Sequence, residues 1–202
     1  MKLRNLVGLV LLTALFLNIT GTAPAFAGKG QNNPMVYVKT NLGNFTVELY
    51  EKEAPATVEN FLYYVDHKFY NGLIFHRVID GFMIQGGGFS PEMTQKSPSP
   101  PIKNEATNGL KNLKYTLAMA RTGVVDSATS QFFINVKDNA ALDHRSTAQA
   151  EFGYCVFGKV IEGMEVIDKI KNVKTTTKGS YGDVPIKPVI IKSVSKLETK
   201  EE

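Results

Sequence analysis

The sequence predicts a mainly β domain, a closed barrel of eight strands capped by two α-helices. Three observations lead there. Eight short segments are rich in β-branched and aromatic residues. Two others repeat apolar residues at helical spacing. Strands and helices do not alternate regularly, which argues against a doubly wound parallel sheet. The 202 residues, 43% hydrophobic and 21% charged, have a globular composition, with no internal repeat of the kind that builds a solenoid or propeller.

Residues 1–27 read as an export signal. Lys2 and Arg4 form a positive n-region, residues 6–17 an apolar h-region, and Ala25-Phe26-Ala27 a small-x-small cleavage site. The apolar run is shorter than the roughly 20 residues of a spanning helix. Cleavage between Ala27 and Gly28 is therefore expected, with release into the periplasm or the medium and no stable membrane association. Residues 28–34 form a lead-in, 35–195 the folded domain, and 196–202 a polar tail without a Lys-Asp-Glu-Leu retention signal, which favours a bacterial address. Losing the signal removes two basic residues from a net charge of only +4, too small a surplus for a nucleic-acid partner.

Residues 35–39 and 44–50 flank Asn41-Leu42-Gly43. Phe45, Val47 and Leu49 alternate with Thr46 and Glu48, the pattern of a half-buried hairpin. Pro55 suits a first helical turn. Val58, Phe61, Leu62, Val65 and Phe69 then keep one helical face apolar until Asn71-Gly72 ends the run. Residues 73–79, 82–85, 115–120, 132–136, 154–160 and 189–194 complete the strands, and Met164, Ile167 and Ile170 place a second helix at 163–170. Two long connections remain. Residues 90–112, with Pro91, Pro98, Pro100 and Pro101, are expected to be an ordered surface loop beside the site, and 137–153 is the other.

Several chemistries are excluded by residue type and spacing. His67, His76 and His144 form no H-E-x-x-H pattern and no i, i+4 pair, and a single cysteine supplies neither a disulfide nor a thiolate zinc site, so no metal is expected. Cys155 lies in an apolar strand and reads as a buried, inert thiol. There is no G-x-S-x-G nucleophile turn, and Asp143-His144 are chain neighbours rather than a triad pair. Gly86-Gly87-Gly88 lacks the lysine and hydroxyl of a phosphate loop and reads as a turn or bulge.

Arg77 is less easily dismissed. Strand alternation puts Phe75, Arg77 and Ile79 on one face and His76 and Val78 on the other. His76 reads as structural, facing the barrel wall. Arg77 has apolar neighbours and no obvious local acid, which leaves its fixed fork of donors free for a bound carbonyl or amide.

Phe75-His76-Arg77-Val78-Ile79, Gly81-Phe82-Met83-Ile84-Gln85-Gly86-Gly87, Ser130-Gln131-Phe132-Phe133-Ile134 and Val156-Phe157-Gly158-Lys159-Val160, in that order, resemble the cyclophilin family of peptidyl-prolyl cis-trans isomerases. The resemblance runs from Met35 to about Ser195. Phe89 and residues 100–105, 119–122 and 141–144 resemble its exported bacterial branch. It implies an eight-stranded antiparallel barrel with two capping helices, and catalysis of rotation about X-Pro bonds without a covalent nucleophile, cofactor or metal. By the same resemblance, Arg77 donates to the proline nitrogen in the twisted state and Gln85 engages the substrate carbonyl. Phe82, Met83, Phe133 and Leu142 receive the proline ring, and Ala120, Gln131 and Tyr154 line the remaining groove. Gln131 has a second reading, as a brace for Arg77 or a loop.

The substrates implied are proline-containing peptides and unfolded or folding exported proteins, handled by a monomer. The alternative is a non-catalytic proline-peptide-binding module or chaperone using the same groove. Two positions depart from the family pattern. Ala141 stands where many members have Trp before Leu-Asp, which opens the groove and implies weak cyclosporin binding. Tyr154 stands where many have His, and keeps an aromatic ring with a polar tip.

Overall fold

The computed structural model describes residues 33–197. In chain order these form β1 (Met35–Thr40), β2 (Asn44–Leu49), α1 (Pro55–Asp66), β3 (Ile74–Ile79), β4 (Met83–Phe89), β5 (Thr116–Met119), β6 (Phe132–Asn135), β7 (Val156–Glu162), α2 (Met164–Lys171), β8 (Thr175–Lys178), β9 (Tyr181–Pro185) and β10 (Val189–Leu197). Eight strands close into an antiparallel barrel in the order β1-β10-β3-β4-β6-β5-β7-β2. The expected barrel with two helices is what forms. β8 and β9 make a separate two-stranded hairpin that the sequence does not announce, because β8 is exposed along its whole length and has no apolar alternation.

The sheet's two-residue period sorts its side chains into two apolar clusters. Val78, Ile84, Leu117, Met119, Phe132, Ile134, Cys155 and Phe157 join the main core. The residues between them point outward: Met83, Ala118, Phe133 and Val156 form a second, smaller cluster on the outer wall, with Ile79, Phe82, Ala120, Leu142 and Tyr154 packed on it. Outward-facing apolar residues on a barrel need a cover or a ligand.

The helices are set by local chemistry. Pro55 occupies the first turn of α1, as expected, but Ala54 provides no side-chain cap. The cap comes from the long loop: the Glu105 carboxylate accepts from the Ala56 N–H at 3.2 Å, the Thr57 N–H at 2.8 Å and the Thr57 hydroxyl at 2.7 Å. A negative charge at the positive end of the helix dipole contributes about 1 kcal/mol, and Thr57 is fully buried, so no water could replace it. This contact, the Ile102–Ala128 bridge and the bond from Asn104 Nδ2 to the Gly153 carbonyl (3.2 Å) order the proline-rich loop. α1 stops at Asp66 although Phe69 extends its apolar stripe, because Lys68 turns into the left-handed region at φ 51°. α2 buries Val166, Ile167 and Ile170, with Glu165 in its first turn and Lys169 and Lys171 in its last, the charge order its dipole favours.

β10 continues through Lys196 and Leu197, the first two residues of the expected tail, because Val36 and Met35 are there to pair with them. The last two residues of the lead-in are fastened as well: the Pro34 carbonyl accepts from the Leu49 N–H at 2.8 Å, and Asn33 Nδ2 donates to Glu48 at 2.9 Å. The signal segment and its cleavage site lie outside the described residues.

Candidate active site

β3 and β4 bring the polar pair together, though not by simple alternation. Phe75 pairs with Gly86 and Arg77 with Gln85, which leaves His76 as an extra, bulged residue. Phe75 and Arg77 therefore do not share a face, contrary to the alternation. Phe75 is fully buried in the main core, while Arg77 emerges half-exposed on the outer wall. The glycine run of β4 is the complementary irregularity, as its reading as a bulge anticipates. Gly87 has φ 83°, and a Cβ there would stand 2.9 Å from the Tyr70 ring; a Cβ on Gly88 would stand 2.6 Å from Gln131 Cδ. The space left by Gly88 holds Gln131, whose Oε1 accepts from Gln85 Nε2 at 2.9 Å. Gln131 thus braces Gln85 rather than Arg77.

A groove of about 120 Å³ lies on the second apolar cluster. It is lined by Arg77, Phe82, Met83, Gln85, Ala120, Arg121, Phe133, Leu142 and Tyr154. Eight of these nine are candidates from the sequence, and the ninth candidate, Gln131, stands behind Gln85. Met83 and Phe133 form the buried floor at 2% and 4% exposure. Phe133 meets Tyr154 edge-on at 5.7 Å between ring centres. Leu142 arrives on a 3-10 turn, Ala140–Leu142, held by the preceding Asn139, whose Nδ2 donates to the Phe82 carbonyl (2.8 Å) and to Asn135 Oδ1 (2.7 Å). Ala141 on that turn is exposed and does not line the groove.

Arg121 is the lining residue that the sequence reading did not single out. Its guanidinium lies 4.8 Å from the centre of the Tyr154 ring, its Nε donates to the Gly153 carbonyl at 2.9 Å, and its Nη1 donates to the Thr122 carbonyl at 3.0 Å. With its donors spent on backbone, Arg121 holds the Tyr154 wall. Nothing in its spacing signals this role, which depends on a loop folding back.

Arg77 does have an acid. Asp183, on β9, places Oδ2 3.8 Å from Arg77 Nε, with the two side chains 46% and 45% exposed. It escapes a local reading because it sits on the hairpin, far along the chain. His76, beneath, is 5% exposed; its ring centre lies 4.6 Å from that of Phe89, and its Nδ1 has no hydrogen-bond partner among the described residues. Burial, helped by the neighbouring Arg77 charge, lowers its pKa to about 4, so it is neutral at pH 7 and structural. Cys155 is buried against the Thr57 hydroxyl at 3.5 Å, and burial pushes its thiol up to about 11, which removes it as a nucleophile. Asp143 accepts from Asn112, while His144 Nδ1 lies 2.8 Å from the Phe152 carbonyl, so these two do not form a catalytic pair.

Residues 35–196 match the family described as cyclophilin type peptidyl-prolyl cis-trans isomerase/CLD. The chain is 56% identical over 177 residues to peptidyl-prolyl cis-trans isomerase A of Dickeya dadantii, covering 88% of this chain and 90% of that one. It is 55% identical over 164 residues to peptidyl-prolyl cis-trans isomerase B of Escherichia coli, covering 81% and 100%. A crystal structure of a cyclophilin type peptidyl-prolyl cis-trans isomerase from Cryptosporidium parvum superposes with a TM-score of 0.69 at 29% identity, covering 83% of this chain and 99% of that one. A second, determined in the presence of the dipeptide Ala-Pro, gives 0.68 at 29%, covering 82% and 99%. Matched from β1 into β10, the chain belongs to the cyclophilin-type peptidyl-prolyl cis-trans isomerase family.

Proposed function

We propose that the outer-wall groove is where this isomerase turns X-Pro bonds, and that its clients are proline-containing segments of exported proteins as they fold. The observation that carries this reading is a half-exposed guanidinium on the rim of a groove with a buried apolar floor. Amide resonance gives the X-Pro bond a barrier of about 18–20 kcal/mol, so spontaneous exchange takes roughly 10–100 s. As the bond twists, its nitrogen loses conjugation and its lone pair becomes an acceptor. A donor fixed at that nitrogen binds the twisted state better than either planar isomer, which is what lowers the barrier. Arg77 is that donor. Met83, Phe133, Phe82 and Leu142 take the proline ring, and the Ala-Pro dipeptide present with a structural relative supports that class of ligand. Gln85 gives one amide proton to Gln131 and keeps the other for the substrate carbonyl.

The test is a proline-switch assay on a tetrapeptide with residues 28–202. The expected result is a faster approach to an unchanged cis/trans equilibrium. Binding without acceleration would leave only a peptide-binding module.

Export is supported by the charged, apolar and small-residue order of residues 1–27. The intact mass of the exported protein is expected to correspond to a chain beginning at Gly28, and a membrane-bound form retaining Met1 would overturn this address.

Ala141, exposed on the turn that carries Leu142 to the groove, offers no aromatic surface to a macrocycle, so weak cyclosporin binding is expected. Ala141→Trp is expected to tighten inhibition about tenfold, near 1.4 kcal/mol, while altering turnover on a short peptide by less. Paired inhibition curves decide the point, and a parent that already binds as tightly as the variant removes Ala141 from this role.

A further inference from the structure

We propose that Asp183 is a positioning residue for Arg77, a carboxylate delivered by the β8–β9 hairpin to hold the guanidinium at the groove rim. The inference rests on the reading of Arg77 given above and extends it to an element outside the barrel.

The hairpin contributes little to the core: β8 is wholly exposed, and of β9 only Val184 and Pro185 are buried. It is nonetheless docked at a defined place. The Tyr181 ring centre lies 5.2 Å from that of Phe89 at the end of β4, and Lys178 Nζ donates to the Pro91 carbonyl at 3.2 Å. The pairing of the two strands is irregular where it faces β3. Thr176 pairs with Val184 and Lys178 with Tyr181, so Gly182 and Asp183 together stand opposite Thr177 alone. Such a bulge redirects a side chain, and Asp183 also takes a left-handed backbone conformation, φ 59°, which Asp tolerates better than most residues with a Cβ. The carboxylate thereby arrives 3.8 Å from Arg77 Nε.

The edge it meets is informative. At 3.8 Å this is an ion pair rather than a hydrogen bond: it draws the guanidinium towards the hairpin by its Nε edge and leaves the terminal amino groups for another partner. Among the described residues, neither terminal nitrogen of Arg77 donates a hydrogen bond. A half-exposed ion pair adds little to stability, so the bulge and the left-handed residue are not offset by the contact they create. Backbone irregularity of that kind, placed beside a functional side chain, fits pre-organisation of a donor that would otherwise sample many rotamers.

The experiment is a four-corner comparison of the parent, Asp183→Asn, Arg77→Ala and the double variant, with kcat and KM on an Ala-Pro tetrapeptide separated by exchange NMR. Asn keeps the size of Asp and tolerates the left-handed backbone. Asp183→Gly, which relieves that conformation altogether, serves as the second variant should the first melt early. Either is expected to lower kcat about fivefold with KM unchanged in the parent background, and to have no further effect when Arg77 is already Ala. Parent-like kcat in both Asp183 variants, with Arg77→Ala inactive, overturns this inference and leaves the role of Arg77 standing. An equal fivefold loss in the Arg77→Ala background also overturns it, since the carboxylate would then act elsewhere. Full activity of Arg77→Ala removes both readings.

Discussion

Arg77→Ala is expected to lower isomerase turnover by about 100-fold, near 2.7 kcal/mol of transition-state stabilisation, in a protein that remains folded. The lost turnover and the retained fold both come from where the residue sits. The side chain is half-exposed on the outer wall and makes one long ion pair, so its removal opens no cavity in the core and strands no buried partner. In the role proposed for it, its loss leaves the twisted X-Pro nitrogen with no cationic donor, while the apolar floor of Met83 and Phe133 is expected still to take the proline ring in its ground states. The loss should therefore fall on kcat more than on KM, because the missing interaction belongs to the transition state. Arg77→Lys is expected to recover only part of it, since a single ammonium on a flexible stem does not reproduce a planar fork. Unchanged turnover in a folded Arg77→Ala protein would take the residue out of the mechanism.

Because the groove floor and the main core are separate apolar clusters, altering the groove rim is expected to leave the barrel folded, and the same division decides which parts are legible in the sequence. The barrel strands could be read because each carries an apolar face: in β6, Phe132 and Ile134 enter the core. Phe133, just as buried, belongs to the groove floor, and nothing in its own residue type distinguishes the two fates. Only the company of Arg77 and Gln85, in a motif order shared with a known family, marked Met83, Phe133 and Leu142 as groove residues rather than core.

Four features were not legible, for three physical reasons. The face of Arg77 depends on the extra residue His76 in the β3–β4 ladder, and a one-residue bulge inverts any reading by alternation. The β8–β9 hairpin has an exposed, polar first strand, so its strand character comes from docking through Tyr181 and Phe89 rather than from local pattern. Arg121 earns its place through contacts with Tyr154 and the Gly153 carbonyl that exist only once the long connection has folded back. The Glu105 cap of α1 is of the same kind, a long-range contact substituting for a local Ser or Asp.

His76 gives the second large expected effect, on stability rather than rate. Its imidazole is 5% exposed, its Nδ1 has no partner among the described residues, and burial together with Arg77 sets its native pKa to about 4 against the ordinary 6.5. The sign follows from which state binds the proton. Above pH 6.5 the ring is neutral in both folded and unfolded chains, and no penalty arises. Between pH 6.5 and 4 the unfolded chain takes up the proton and the native one does not, so stability falls as the pH falls, by up to about 3 kcal/mol in all. Below pH 4 both states are protonated and this contribution levels off. His76→Leu puts an apolar side chain of similar size against Phe89 and abolishes the titration. Urea midpoints for parent and variant should run parallel above pH 6.5 and diverge below it, the parent losing the additional stability by pH 4. Because carboxylates titrate in both proteins, their contributions cancel in the difference between the two curves. Parallel curves all the way to pH 4 would mean that His76 finds solvent or a partner for its proton without unfolding, and would remove burial as the cause of its depressed pKa.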